Sequence, residues 1–115
     1  MGTENTTGVG IAARLRAARE HAGLSQGQVA RMLDYHRPTI SEIEAGRRTV
    51  TAEEITIFAR TYSVSPSWLL SGRPEVENPA IELAARELSK LKHEDLGMIL
   101  DLLKTLRKNP GKGVL

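Results

Sequence analysis

Leu24-Ser25-Gln26-Gly27-Gln28-Val29-Ala30-Arg31-Met32-Leu33-Asp34-Tyr35-His36-Arg37-Pro38-Thr39-Ile40-Ser41-Glu42-Ile43-Glu44-Ala45-Gly46 reads as two short helices held at a fixed spacing. Ser25 with Gln28 three residues on is a capping box and opens the first helix. Val29, Ala30 and Leu33 form its buried face, and Asp34-Tyr35-His36 make the turn. The second helix is predicted from Arg37 to Ala45, with Pro38 tolerated in its first turn and Gly46 closing it. Ile40 and Ile43, one turn apart, point inward. Thr39, Ser41 and Glu42 point out.

The same rules extend in both directions. Upstream, Ile11, Leu15, Ala18 and Ala22 form one apolar stripe of a helix over 11–22, which Gly23 ends. Downstream, Thr51 with Glu54 is a second capping box. The helix it opens buries Ile55, Phe58, Ala59 and Tyr62. Ser65-Pro66 opens a short fifth helix carrying Trp68, Leu69 and Leu70, and Gly72 ends it. Trp68, the sole tryptophan, belongs to the core.

Residues 1–10 read as a disordered arm and 74–79, with two prolines, as a linker. Beyond the linker, Ile81, Ala84, Ala85, Leu88 and Leu91 line one helical face. Leu96, Ile99, Leu100, Leu103 and Leu106 line another. A break near Lys92-His93, with Glu94 and Asp95 in the positive first turn of the last helix, gives two helices. One continuous helix over 80–108 is the alternative. Residues 109–115 read as a flexible tail.

Composition narrows the function. Four aromatic residues in 115 leave a core of Leu, Ile, Val and Ala, which suits helices. The absence of cysteine excludes disulfides and thiolate metal sites. No apolar run approaches the ~20 residues of a membrane span, and no signal-peptide core opens the chain, so a cytoplasmic protein is expected. His21, His36 and His93 share no ligand spacing, so no metal and no cofactor are expected. No nucleophile–base or phosphate-loop motif is present, which argues against an enzyme. The net charge is only +2, but the nine basic residues up to Arg73 are all arginine. Arginine suits bidentate contact with phosphate and guanine.

Residues 11–72 resemble the Cro/lambda-repressor-type helix-turn-helix family, also called the xenobiotic-response-element family. The resemblance rests on an ordered set of motifs: Leu24-Ser25-Gln26, Val29-Ala30, Thr39-Ile40-Ser41, Ile43-Glu44-x-Gly46 and Ser65-Pro66-x-Trp68-Leu69-Leu70-x-Gly72. It implies an all-α fold, with a five-helix lambda-repressor-like DNA-binding domain over 11–73. A one- or two-helix dimerisation element over 80–108 would follow. It implies that the helix at 37–45 enters the major groove of double-stranded DNA. His36, Arg37, Pro38, Thr39, Ser41 and Glu42 would then meet base edges. Arg37 can donate to guanine O6 and N7, and Glu42 can accept from cytosine N4. Pro38 departs from the family's usual polar choice and offers only apolar contact. Pairing of Glu42 with Arg37 or Arg47 is the alternative to base contact.

Phosphate contacts are expected from Arg14, Arg16, Arg47 and Arg48, and from Ser25 and Gln26 at the start of the second helix. The resemblance further implies a structural ion pair of Arg19 with Glu44. Ile81, Leu88, Leu91, Leu96, Ile99, Leu100, Leu103 and Leu106 would form a homodimer interface as a small four-helix bundle. Together these imply a homodimeric, nucleoid-associated bacterial repressor reading a palindromic operator. The roughly 42 residues after Arg73 are too few for a sensor domain, so a regulatory protein partner is expected over a small-molecule effector. The alternative is the antitoxin of a toxin–antitoxin pair, autoregulating through the same helices.

Overall fold

The computed structural model describes residues 8–73 and 78–108. The fold is all-α. The helices are α1 (Gly8–His21), α2 (Gln26–Leu33), α3 (Arg37–Glu44), α4 (Ala52–Tyr62), α5 (Pro66–Ser71), α6 (Pro79–Leu88) and α7 (His93–Lys108), with no strand among the described residues. The chain divides into two units, Met1–Glu75 and Val76–Leu115.

In the first unit the helix ends follow local chemistry. The Ser25 hydroxyl accepts from the Gln28 amide at 3.0 Å, and the Gln28 side chain accepts from the Ser25 amide at 2.8 Å. Thr51 and Glu54 repeat this box at the start of α4, at 3.1 and 2.9 Å. Each box satisfies two amides that the helix itself leaves bare. Gly46, at φ +79°, turns the chain back at the end of α3. The Gly46 amide donates to Ile43, and the amides of Arg47 and Arg48 both donate to the Glu42 carbonyl. A side chain there would meet the left-handed penalty that glycine avoids.

α1 to α5 enclose one core of Leu15, Ala18, Val29, Ala30, Ile40, Ile43, Ile55, Phe58, Ala59, Tyr62 and Leu69. Phe58 is its centre, edge-on to Tyr35 with ring centroids 6.1 Å apart and stacked on Tyr62 at 5.8 Å. Trp68 is half-buried and packs against this cluster.

Four boundaries differ from expectation. α3 ends at Glu44, one residue before the expected Ala45. α1 starts at Gly8, inside the stretch read as a disordered arm. The two glycines at 8 and 10 weaken the local signal, yet Ala12 and Leu15 anchor the helix in the core. The rest of that arm, residues 1–7, and the tail at 109–115 lie outside the described residues. Ala22 is exposed, because α1 has already ended; Ala12 takes the place assigned to it on the buried stripe. Asn78 and Pro79, read as linker, instead open α6: the Asn78 side chain accepts from the Ala80 amide at 2.8 Å and Pro79 fills the first turn. Residues 74–77 of that linker lie outside the description.

In the second unit, 80–108 holds two helices, not one, and Ser89 ends α6. No described residue of this unit is buried. Leu88, Leu96 and Ile99 are half-buried, whereas Ile81, Leu91, Leu100, Leu103 and Leu106 are exposed. Leu83, Met98 and Leu102, absent from the expected interface, are exposed as well.

Candidate nucleic-acid interface

A helix of eight residues cannot hold its own orientation in water, so whatever α3 presents is set by what it is tied to. The main tie is Glu44. Its carboxylate receives Arg19 Nε at 2.7 Å and Arg19 Nη2 at 3.0 Å, and Gln26 Nε2 at 3.0 Å. Arg19 also donates to the Leu24 carbonyl at 2.7 Å. One carboxylate at the end of α3 therefore joins α1 and the first residue of α2. The side chains are only 9% and 4% exposed, so both charges are desolvated and depend on each other. The hydrogen bond to Glu44 holds the Arg19 guanidinium above its usual pKa, against burial. Burial, then the charge of Glu44, pushes the Tyr62 phenol up.

The second tie is Glu54, which sequence reasoning saw only as a cap. It accepts from Tyr35 Oη at 2.7 Å and from Arg48 at 3.2 and 3.1 Å. Tyr35 lies two residues before α3 and Arg48 four residues after it, so one carboxylate fixes both flanks of the helix. Burial opposes its ionisation, but the Arg48, Thr51 and Tyr35 hydrogen bonds more than offset this, pulling the carboxyl down to about 2 from 4.5. A depressed acid stabilises the fold above its unfolded pKa and loses that contribution as pH falls through its folded one. Glu54→Gln is therefore expected to remove up to about 3 kcal/mol at neutral pH and to flatten the fall in stability between about pH 4.5 and 2. Urea titrations at a series of pH values check this; an unaltered acid limb would contradict it.

Between these ties, α3 exposes His36, Arg37 and Pro38 at its start, with Thr39, Ser41 and Glu42 half-buried. The Ser41 hydroxyl donates back to the Pro38 carbonyl at 3.0 Å. Among the described residues no carboxylate pairs with Arg37. Glu42 is paired: Arg47 Nε and Nη2 reach its two oxygens at 2.8 and 3.1 Å. That hydrogen bond holds the Glu42 carboxyl below its usual range.

The expected phosphate contacts separate into two groups. Arg16, Arg47 and Arg48 are exposed, although Arg16 pairs with Glu20 at 3.2 Å. Arg14 is committed elsewhere. Its Nε donates to the Leu69 carbonyl at 2.8 Å and its Nη2 to the Leu70 carbonyl at 2.9 Å. It thereby caps α5, whose last carbonyls lack helical partners. Gly72, at φ +76°, makes room for it, since a Cβ there would sit 3.0 Å from Arg14 Nη1. The guanidinium expected at a phosphate is thus held against the end of α5 in the free chain. Gln26 spends its side-chain amide on Glu44, and the Ser25 hydroxyl accepts the Gln28 amide.

Arg31 was missed. A Cβ on Gly27 would lie 3.7 Å from Arg31 Nη1 and 3.8 Å from Arg37 Cδ, so the two cations flank the first turn of α2. The signal was available: residues four apart on a helix share a face.

A family model described as a helix-turn-helix domain matches residues 11–69. No curated protein and no solved structure matches the chain.

Proposed function

The chain belongs to the helix-turn-helix domain family, and from that premise we propose that it is a homodimeric, sequence-specific repressor reading a palindromic operator through α3. The domain supports DNA-binding transcriptional regulation. No helix among the described residues is long and apolar enough to cross a membrane.

The observation that carries the reading is the contrast between a fixed α3 and an uncommitted Arg37 at its start. The Glu44 and Glu54 ties hold the helix, and Arg37 remains exposed with no acidic partner among the described residues. In the major groove it donates to guanine O6 and N7, with Pro38 against a thymine methyl and Glu42 accepting from cytosine N4. His36, Thr39 and Ser41 complete the base-facing set. Arg16, Arg47, Arg48 and the start of α2 at Ser25 and Gln26 meet phosphates, with Arg31 beside them. Arg37→Ala is expected to cost about 1–3 kcal/mol of discrimination at one base pair per half-site. Competition binding against single-base operator variants measures it, and an unaltered preference there refutes the assignment.

Dimerisation would cover the apolar faces of α6 and α7, which otherwise stand in water. Leu103, 48% exposed on α7, is the test position. Leu103→Asp is expected to convert dimer to monomer in analytical ultracentrifugation; a folded, dimeric variant would rule this interface out. Leu83, Met98 and Leu102 give the second reading its support, since they add apolar surface beyond the expected seam. In that reading the unit binds a toxin, and a monomeric wild-type chain that forms a stoichiometric complex with a neighbouring gene product would favour it.

A further inference from the structure

The Glu42–Arg47 pair raises a conflict between two expected roles. A phosphate and Glu42 compete for one guanidinium. A cytosine amine and Arg47 compete for one carboxylate. Neither residue can contact DNA fully while the pair stays closed.

The pair is held by the fold as well as by charge. The left-handed turn at Gly46 brings Arg47 back over the last turn of α3, where its amide donates to the Glu42 carbonyl at 3.0 Å. The side chains then close both hydrogen bonds of a bidentate pair. Both remain at the surface, at 65% exposure for Arg47 and 45% for Glu42, so the pair is weak enough to open. Arg48 differs: its partner Glu54 is recessed and keeps Tyr35 and the Thr51 amide as donors when Arg48 leaves. Glu42 has no such second donor among the described residues.

We propose that Glu42 and Arg47 form a latch that makes the phosphate contact of Arg47 conditional on base recognition by Glu42. The inference rests on the DNA-binding reading above. Where a cytosine amine meets Glu42, the carboxylate exchanges one donor for another and Arg47 is released to the backbone. Where no base donor is present, releasing Arg47 would leave a bare carboxylate beside phosphates, and the latch stays shut. Glu42 thus lowers affinity for DNA of arbitrary sequence as much as it raises affinity for its site.

The test uses the full chain, a labelled duplex of mixed sequence and binding measured across a salt series. Glu42→Gln is expected to tighten binding by about two- to fivefold, the scale of an exposed ion pair. It should also steepen the salt dependence by about 0.9, one extra phosphate contact. Arg47→Ala, which bares the Glu42 carboxylate beside phosphates, should weaken binding without lowering the slope, and the double variant should return both quantities to near wild-type values. Glu53→Gln, which removes an exposed carboxylate on α4, controls for charge alone and should not change the slope. An unchanged slope in Glu42→Gln, or a slope already reduced by about 0.9 in Arg47→Ala, would overturn the latch while leaving salt-dependent DNA binding in place. No binding by the wild-type chain at low salt would instead overturn the DNA-binding reading, and the latch with it. Circular dichroism of each variant confirms the fold, which these exposed side chains do not support.

Discussion

Glu44→Ala is expected to destabilise the first unit by about 3–5 kcal/mol, the cost of leaving one member of a buried ion pair alone. Among the described residues, no buried side-chain nitrogen or oxygen lacks a hydrogen-bond partner. The substitution would create such atoms. Arg19, 8% exposed, would keep the Leu24 carbonyl and only a long 3.9 Å contact with the exposed Glu20 carboxylate, and the Gln26 amide would lose its acceptor. The pair itself need not be a net source of stability, because desolvating two charges offsets much of their attraction. The double variant Arg19→Met/Glu44→Leu should therefore lose much less than Glu44→Ala alone. Urea unfolding with an unchanged m-value separates the two outcomes. A loss below about 1 kcal/mol for Glu44→Ala would mean that the charges are solvated and that α3 is not held as described.

Phe58→Ala is expected to cost about 3–5 kcal/mol, through lost burial and the cavity left behind. Phe58 is 2% exposed and touches both tyrosines of the chain, Tyr35 before α3 and Tyr62 at the end of α4. No other aromatic ring can take its place, because Trp68, the fourth aromatic residue of the chain, lies at the edge of the cluster. In a domain of this size, each kcal/mol shifts Tm by about 4–8 °C, so a fall of more than about 12 °C follows. Phe58→Leu keeps most of the volume and should lose less than half as much. Thermal unfolding that barely moves in Phe58→Ala would place the centre of the core elsewhere.

These two expectations mark where sequence reading succeeds and where it stops. The helix starts at Ser25, Thr51 and Ser65, and the stops at Gly23, Gly46 and Gly72, are legible because each depends on residues within four positions of one another. The core was legible from periodicity, with Ala22 the one misplaced member. Arg14 was not legible: it meets backbone carbonyls 55 and 56 residues away, and a carbonyl carries no mark in a sequence. Glu54 was legible as a cap because that contact is local, and illegible as a hub because Tyr35 and Arg48 reach it only after folding. Glu42 could be read two ways from its position. The turn at Gly46 favours pairing in the free chain by returning Arg47 to it. The apolar stripes of α6 and α7 were visible as stripes, but a stripe does not name what covers it.

Base-specific recognition by α3 is tested most directly by selecting duplexes from a random-sequence library at near-physiological salt, with wild-type protein and Arg37→Ala in parallel. The wild-type chain is expected to enrich a two-fold symmetric motif with half-site centres about ten base pairs apart, or a multiple of that. Arg37→Ala should enrich the same motif with the preference for guanine erased at one position of each half-site. No enriched sequence with the wild-type chain, or an identical motif with Arg37→Ala, would contradict it.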